Sequence, residues 1–121
     1  MAQPIIDHVL NDARRIIADR RRRLRGREAV TVEGEECDAC DDVALRFCAV
    51  GALIHAAYDL TGEHERAHRL GWQVAGMIAE AARLRRVDDE EPGWNLALLN
   101  DTRGQVAVLR AVDALINQRR A

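Results

Sequence analysis

Glu63-His64-Glu65-Arg66-Ala67-His68-Arg69-Leu70-Gly71-Trp72-Gln73-Val74-Ala75-Gly76-Met77-Ile78-Ala79-Glu80-Ala81-Ala82-Arg83-Leu84-Arg85-Arg86 is the stretch that decides the fold. Ala67, Leu70, Val74, Met77, Ile78, Ala81 and Leu84 recur at three- and four-residue spacing, the repeat of a helix with one apolar stripe. Arg83, Arg85 and Arg86 suit the negative end of that helix's dipole. The same period continues on both sides. Before it, Thr61-Gly62 closes a helix that opens at Asp41 or Asp42, either of which suits an N-cap, and that buries Val43, Phe47, Val50, Ile54 and Tyr58. A first helix runs from about Pro4 to about Arg25 on Ile6, Val9, Leu10, Ala13, Ile16, Ile17 and Leu24, and Gly26 ends it. Towards the C-terminus, Thr102-x-x-Gln105 fits a capping box that opens a last helix through Val106, Leu109, Val112, Leu115 and Ile116. The expected fold class is all-α, a compact bundle of about four helices forming a single helical domain over residues 1–121.

Two stretches break the helical period. Residues 26–40 hold a short β-branched piece, Val30-Thr31-Val32, which as a lone strand would need a partner such as another subunit's edge. An irregular acidic loop from Glu33 to Asp42 follows, with Cys37 and Cys40 inside it. Residues 87–101 carry the acidic run Asp88 to Glu91, the turn Pro92-Gly93 and an apolar segment, Trp94 to Leu99, expected to lid the bundle.

Composition sets limits on function. With 121 residues, 48% hydrophobic and 31% charged, the chain suffices for one core that hides roughly two-thirds of the unfolded surface. All 18 basic residues are arginine, set against 20 acidic ones for a net charge of −2, which excludes a generally basic nucleic-acid binder. The longest apolar run, Phe47 to Ile54, is far short of the ~20 residues a bilayer demands, so no membrane association is expected. The opening Met1-Ala2-Gln3-Pro4 lacks the features of a signal peptide and the three cysteines are an odd number, so the expected setting is cytoplasmic with reduced thiols.

Phe47-Cys48-Ala49-Val50-Gly51-Ala52-Leu53, then Leu99-Asn100-Asp101, Val108-Leu109 and Asp113-Ala114-Leu115-Ile116 together resemble a family of small bacterial and phage proteins grouped only as domain of unknown function 6197. The resemblance covers the second helix and the last quarter best, and it departs at Leu99, where the family usually carries Trp or Phe. It implies a fold class and a bacterial or phage origin, with Cys48, Gly51, Asn100 and Asp101 as its motif residues, and no activity. The residues themselves give plain readings for these positions. Cys48 and His55 lie about 10 Å apart along a helix, too far for a direct nucleophile and base. Cys48 with Gly51 and Ala52 then forms a notch for a neighbouring helix, and Asn100 and Asp101 suit the N-cap of the last helix.

Metal chemistry has two candidate strings. His64-Glu65-Arg66-Ala67-His68 matches His-Glu-x-x-His, in which two histidines one turn apart hold zinc and the glutamate, here Glu65, activates its water. The longer metalloprotease pattern would set its third ligand at Val74, which cannot bind metal, and Glu80 is about 18 Å from the pair by helix rise. Exposed helix-surface residues are the plainer reading. Cys37-Asp38-Ala39-Cys40 is a C-x-x-C knuckle which, with His64 and His68, supplies four ligands suited to structural zinc. If residues 41–60 form one straight helix, about 27 Å separates the cysteines from the histidines. That distance speaks against one shared site and leaves an acidic loop with incidental thiols.

Charge has its own candidate. Arg20, Arg21, Arg22, Arg23, Arg25 and Arg27 read either as a phosphate-contacting stripe for nucleic acid or as a solvated helix end neutralised by the acids that follow. Without aromatic residues interleaved for base stacking, nucleic acid is not favoured. The expected function is a non-enzymatic protein-binding or regulatory module, with a protein partner or self-association through its opposite-charge blocks and no cofactor. The alternatives are a zinc-dependent hydrolase using Glu65 and a nucleic-acid-binding regulator.

Overall fold

The computed structural model describes residues 3–84 and 91–120. Five helices carry the described residues: α1 (Gln3–Ala18), α2 (Ala49–Thr61), α3 (His64–Ala81), α4 (Gly93–Thr102) and α5 (Gln105–Arg120). Three two-residue strands lie between α1 and α2: β1 (Ala29–Val30), β2 (Glu36–Cys37) and β3 (Arg46–Phe47). The fold is thus mainly α, as expected, with one more helix than expected and a small sheet.

The core is built where the helical stripes meet. Leu10 of α1, Leu53 and Ile54 of α2, Val74 and Ile78 of α3, Leu96 of α4 and Val108 and Val112 of α5 are all fully buried. Gly71 sets the spacing of α3 on α2, because a Cβ there would stand 2.6 Å from Ile54 Cγ1 and 2.9 Å from its Cα. Gly62 ends α2 with φ +68, a left-handed conformation that glycine adopts at little cost, and its amide donates to the Tyr58 carbonyl.

Several expectations are corrected. The first helix stops at Ala18 rather than near Arg25, because Asp19 is extended and its carboxylate accepts the Arg21 amide, opening a 3₁₀ turn over Arg20–Arg22. The chain then joins the sheet, where the Leu24 amide donates to the Phe47 carbonyl. The β-branched strand finds its partners inside the chain: β1 is central, with Ala29 opposite both Cys37 and Phe47 in antiparallel register. A tight turn at Gly34, whose amide donates to the Thr31 carbonyl, makes the first hairpin. The second helix opens at Ala49 rather than at Asp41 or Asp42, because Phe47 is drawn into β3 and Cys48 becomes the N-cap, its Sγ accepting the Gly51 amide. Val43, expected inside, is accordingly exposed.

The last three helices bring further corrections. The expected lid is α4, and Thr102 ends it, with its hydroxyl donating to the Leu98 carbonyl, instead of capping α5. Gln105 opens α5, and its side-chain amide donates to the Ile17 and Ala18 carbonyls at 2.9 Å each. It satisfies the C-terminal end of α1, not its own N-terminus. The third helix ends at Ala81 rather than Arg86, with Arg83 at φ +54 and the Leu84 amide reaching back to the Ala79 carbonyl. Arg85, Arg86 and residues 88–90 of the second acidic run lie outside the described residues.

Arg14 joins α1 to α5 by two hydrogen bonds to Asp113, 2.6 and 3.1 Å. The Arg14 hydrogen bond, against burial, holds the Asp113 carboxyl below its ordinary range. Both side chains are about two-fifths exposed, so solvent screening limits the pair to under about 1 kcal/mol. Its contribution is present above the ordinary carboxyl pKa of about 4 and fades as pH falls through the lower folded value. Asp113→Asn is therefore expected to be slightly less stable than the parent at pH 7 and equal to it near pH 2, as read by urea unfolding at the two pH values.

Candidate metal centre

Two local structures converge on one point at the surface. The first is the turn after β2. Its Asp38 carbonyl accepts the Asp41 amide at 3.0 Å, and the Asp38 carboxylate accepts the Cys40 amide at 2.8 Å. This side-chain turn is what aspartate does readily in such a position, and it aims Asp38 and Cys40 the same way. The second is the first turn of α3, where His64 and His68 stack with ring centroids 4.7 Å apart. Their Nε2 atoms reach the Asp38 carboxylate, at 3.0 Å from His64 and 3.1 Å from His68.

The ligand atoms of Asp38, Cys40, His64 and His68 all lie within 4.8 Å of one another. Burial is graded across the set: Cys40 is buried, Asp38 and His68 are half-buried, and His64 is exposed. Burial is the largest single influence on Asp38 and pushes its carboxyl up, but the Cys40 amide and the His68 ring together outweigh it and hold it at about 2. Burial, followed by the Asp38 carboxylate, pushes the Cys40 thiol up to about 12. A fixed carboxylate between two imidazoles and beside a buried thiol is a mixed oxygen, nitrogen and sulfur donor set.

This juxtaposition corrects the separation expected between the knuckle and the histidines. The 27 Å estimate required helix from residue 41 onward, whereas α2 opens only at Ala49 and the preceding segment is turn and strand. That change brings the 38–40 turn beside the middle of α2, where the Ala39 carbonyl accepts from His55 Nδ1 at 2.8 Å. The C-x-x-C pair itself does not stay together. Cys37 sits in β2 opposite Ala29 and packs against the core, outside the ligand group, and Asp38 takes its place. Nothing in the sequence singles out Asp38 within an acidic run; only its one-residue offset in the turn does.

The other candidate residues lie apart. Glu65 is exposed and follows His64 by one position, a rotation of about 100° around α3. The arginine block is divided among separate tasks rather than aligned as a stripe. Arg21 pairs with Asp19, Arg27 approaches Glu36 at 3.9 Å, and Arg20 and Arg25 are exposed. Arg22 donates to the Leu45 carbonyl and lies over the Phe47 ring at 5.3 Å. Arg23 turns inward, with Nε and Nη2 buried and without a hydrogen-bond partner among the described residues.

The motif residues form a junction. Burial pushes the capping Cys48 thiol up to about 11, against the Gly51 and Val50 amides. Gly51 lets the Glu28 carbonyl approach α2 where a Cβ would stand only 2.0 Å from it. The expected notch for a helix is thus filled by the Glu28 backbone leading into β1. Asn100 does help cap a helix, but across the core: it accepts the Ala49 amide at the start of α2 and donates to the Leu24 carbonyl. Asp101 accepts the Gly26 amide at 2.9 Å.

Among the described residues no helix is long and apolar enough to cross a membrane. One family model, described as Family of unknown function (DUF6197), matches residues 1–118. No curated protein and no solved structure matches the chain.

Proposed function

The chain belongs to this family of unknown function, DUF6197, so its chemistry rests on its own side chains, and we propose that it is a non-enzymatic zinc-binding module. The observation that carries the reading is the convergence of Asp38, Cys40, His64 and His68 within 4.8 Å. At ordinary zinc bond lengths, ligand atoms at the corners of a tetrahedron stand about 3.3–3.7 Å apart, so the widest separations, up to 4.8 Å, must close by about 1 Å while the 3.0 and 3.1 Å contacts to Asp38 open slightly. Zinc would stand between the His64 and His68 Nε2 atoms and the Asp38 carboxylate they now contact. It would also take Cys40 as thiolate, making a neutral site from one dication, two anionic and two neutral ligands. The thiolate and imidazole donors suit zinc and disfavour calcium or magnesium, which take oxygen.

Four protein ligands complete a tetrahedral zinc and leave no position for a reacting water, the mark of a structural rather than a hydrolytic site. The exposed Glu65 accords with this. The metal would fasten the segment after β2 to α3, and that segment also presents the exposed side chains Val43 and Leu45, which suit a protein partner. Zinc added to metal-stripped protein is expected to bind at one ion per chain by elemental analysis and to raise the thermal midpoint, with chelator reversing both. Protein that retains no zinc after desalting, or that melts identically with and without it, defeats the proposal.

A further inference from the structure

The turn that supplies two of the four proposed ligands is held at its middle residue from both sides. Ala39, between Asp38 and Cys40, is fully buried. Its amide donates to Glu28 Oε2 at 2.9 Å, and its carbonyl accepts from His55 Nδ1 at 2.8 Å. Glu28 performs a second task with its other oxygen, as Oε1 faces His68 Nδ1 at 3.9 Å while His68 Nε2 points to the ligand cluster. One carboxylate therefore reaches both ligand-bearing elements, the 38–40 turn and α3. His55 is itself fixed, against the Phe47 ring at 4.6 Å and near Asp59 at 3.9 Å.

We infer that Glu28 and His55 are positioning residues of the metal centre, presetting the Asp38-Ala39-Cys40 turn and, through Glu28, the ring orientation of His68. The inference rests on the zinc reading above. A histidine that binds metal through Nε2 carries its proton on Nδ1, and a carboxylate facing that proton fixes the tautomer and strengthens the nitrogen as a donor. Glu28, with Oε1 at 3.9 Å from His68 Nδ1, is placed on the right side of the ring for that role. Its backbone contributes to the same rigidity, since the Glu28 carbonyl accepts the Cys48 amide at 3.2 Å and lies against Gly51. The side chain that reaches the metal ligands thus springs from backbone anchored at the start of α2.

Glu28→Gln separates this role from a merely structural one. The amide oxygen still accepts the Ala39 amide, but the charge facing His68 is gone. Zinc affinity, measured by competition with a chromophoric chelator, is expected to fall 10–100-fold, while the thermal midpoint of the metal-free protein stays at the parent's value. Cobalt(II) in place of zinc supplies a spectroscopic readout. The parent is expected to show the intense visible bands of tetrahedral cobalt with a thiolate ligand, and Glu28→Gln weaker, shifted ones. His55→Phe keeps the ring packing and removes the donor to Ala39, and it is expected to weaken zinc in the same way. Should Glu28→Gln not fold, His55→Phe alone decides. A variant that binds zinc as tightly as the parent with an unchanged cobalt spectrum overturns the inference and leaves the zinc reading standing. A parent that binds neither metal overturns the zinc reading instead.

Discussion

Cys40→Ser is expected to remove nearly all of the stability that zinc confers. Of the four proposed ligands, Cys40 is the most buried and the softest, and its thiol, pushed up to about 12 by burial and the Asp38 carboxylate, must give up its proton to bind the metal. Serine keeps the size but replaces a thiolate with a hydroxyl that zinc does not readily deprotonate, so three donors remain at a site shaped for four. A ligand present at a thousandfold its dissociation constant stabilises the folded state by about 4 kcal/mol, a rise in midpoint on the order of 10 °C for a domain of this size. The parent is expected to show that rise on zinc addition and Cys40→Ser no more than a small part of it. Each protein is compared with its own metal-free form, so any cost of the buried hydroxyl cancels. Cys37→Ser, outside the ligand group, is expected to retain the full rise. Equal rises in parent and Cys40→Ser would show that zinc binds elsewhere.

The contrast between Cys37 and Cys40 shows where sequence reading reaches its limit. Long periodic segments were legible in part: the stripes of α1 and α3 face inward much as their spacing implies, and Val50 and Ile54 of α2 are buried. On α5, Val112 and Leu115 are buried, but Val106, expected inside, is exposed and Val108 and Ala111 take the inner face instead. Element boundaries were not. Asp41 and Asp42 have the chemistry of N-caps, and only tertiary pairing of Phe47 with Ala29 moves the start of α2 to Ala49. That shift of about two turns is what closes the distance between the knuckle and the histidines. The candidate ligands Cys40, His64 and His68 were readable as residue types with metal chemistry. Asp38 and Glu28 were not, since a carboxylate in an acidic run carries no local signal, and their roles depend on a turn and a sheet made of two-residue strands. Short strands of this kind are set by long-range pairing rather than by periodicity, so the sheet was foreshadowed only by its β-branched piece.

Gly51→Ala is expected to cost at least about 3 kcal/mol, although alanine is the better helix former by about 1 kcal/mol. Gly51 lies within α2, where helical propensity alone favours the substitution. The added methyl, however, would stand 2.0 Å from the Glu28 carbonyl oxygen and 3.0 Å from its carbon, both backbone atoms that cannot rotate aside. Relief requires moving Glu28, which leads into β1, off α2, and this also strains the bond from the Cys48 amide to that same carbonyl. The steric term therefore exceeds the propensity term. Gly76 gives the opposite case in α3, since its nearest neighbour would be Pro92 Cβ at 3.5 Å, an ordinary contact. Gly76→Ala is expected to gain up to about 1 kcal/mol from propensity alone, so the two substitutions, identical in chemistry, should move urea midpoints in opposite directions. Gly51→Ala has a second expected consequence, because displacing the Glu28 backbone draws its carboxylate away from Ala39 and His68. Zinc affinity should fall with stability in Gly51→Ala and stay unchanged in Gly76→Ala. A Gly51→Ala protein as stable as the parent would mean that strand and helix do not approach as closely as 2.0 Å implies, and that the anchoring of Glu28 is looser than its hydrogen bonds indicate.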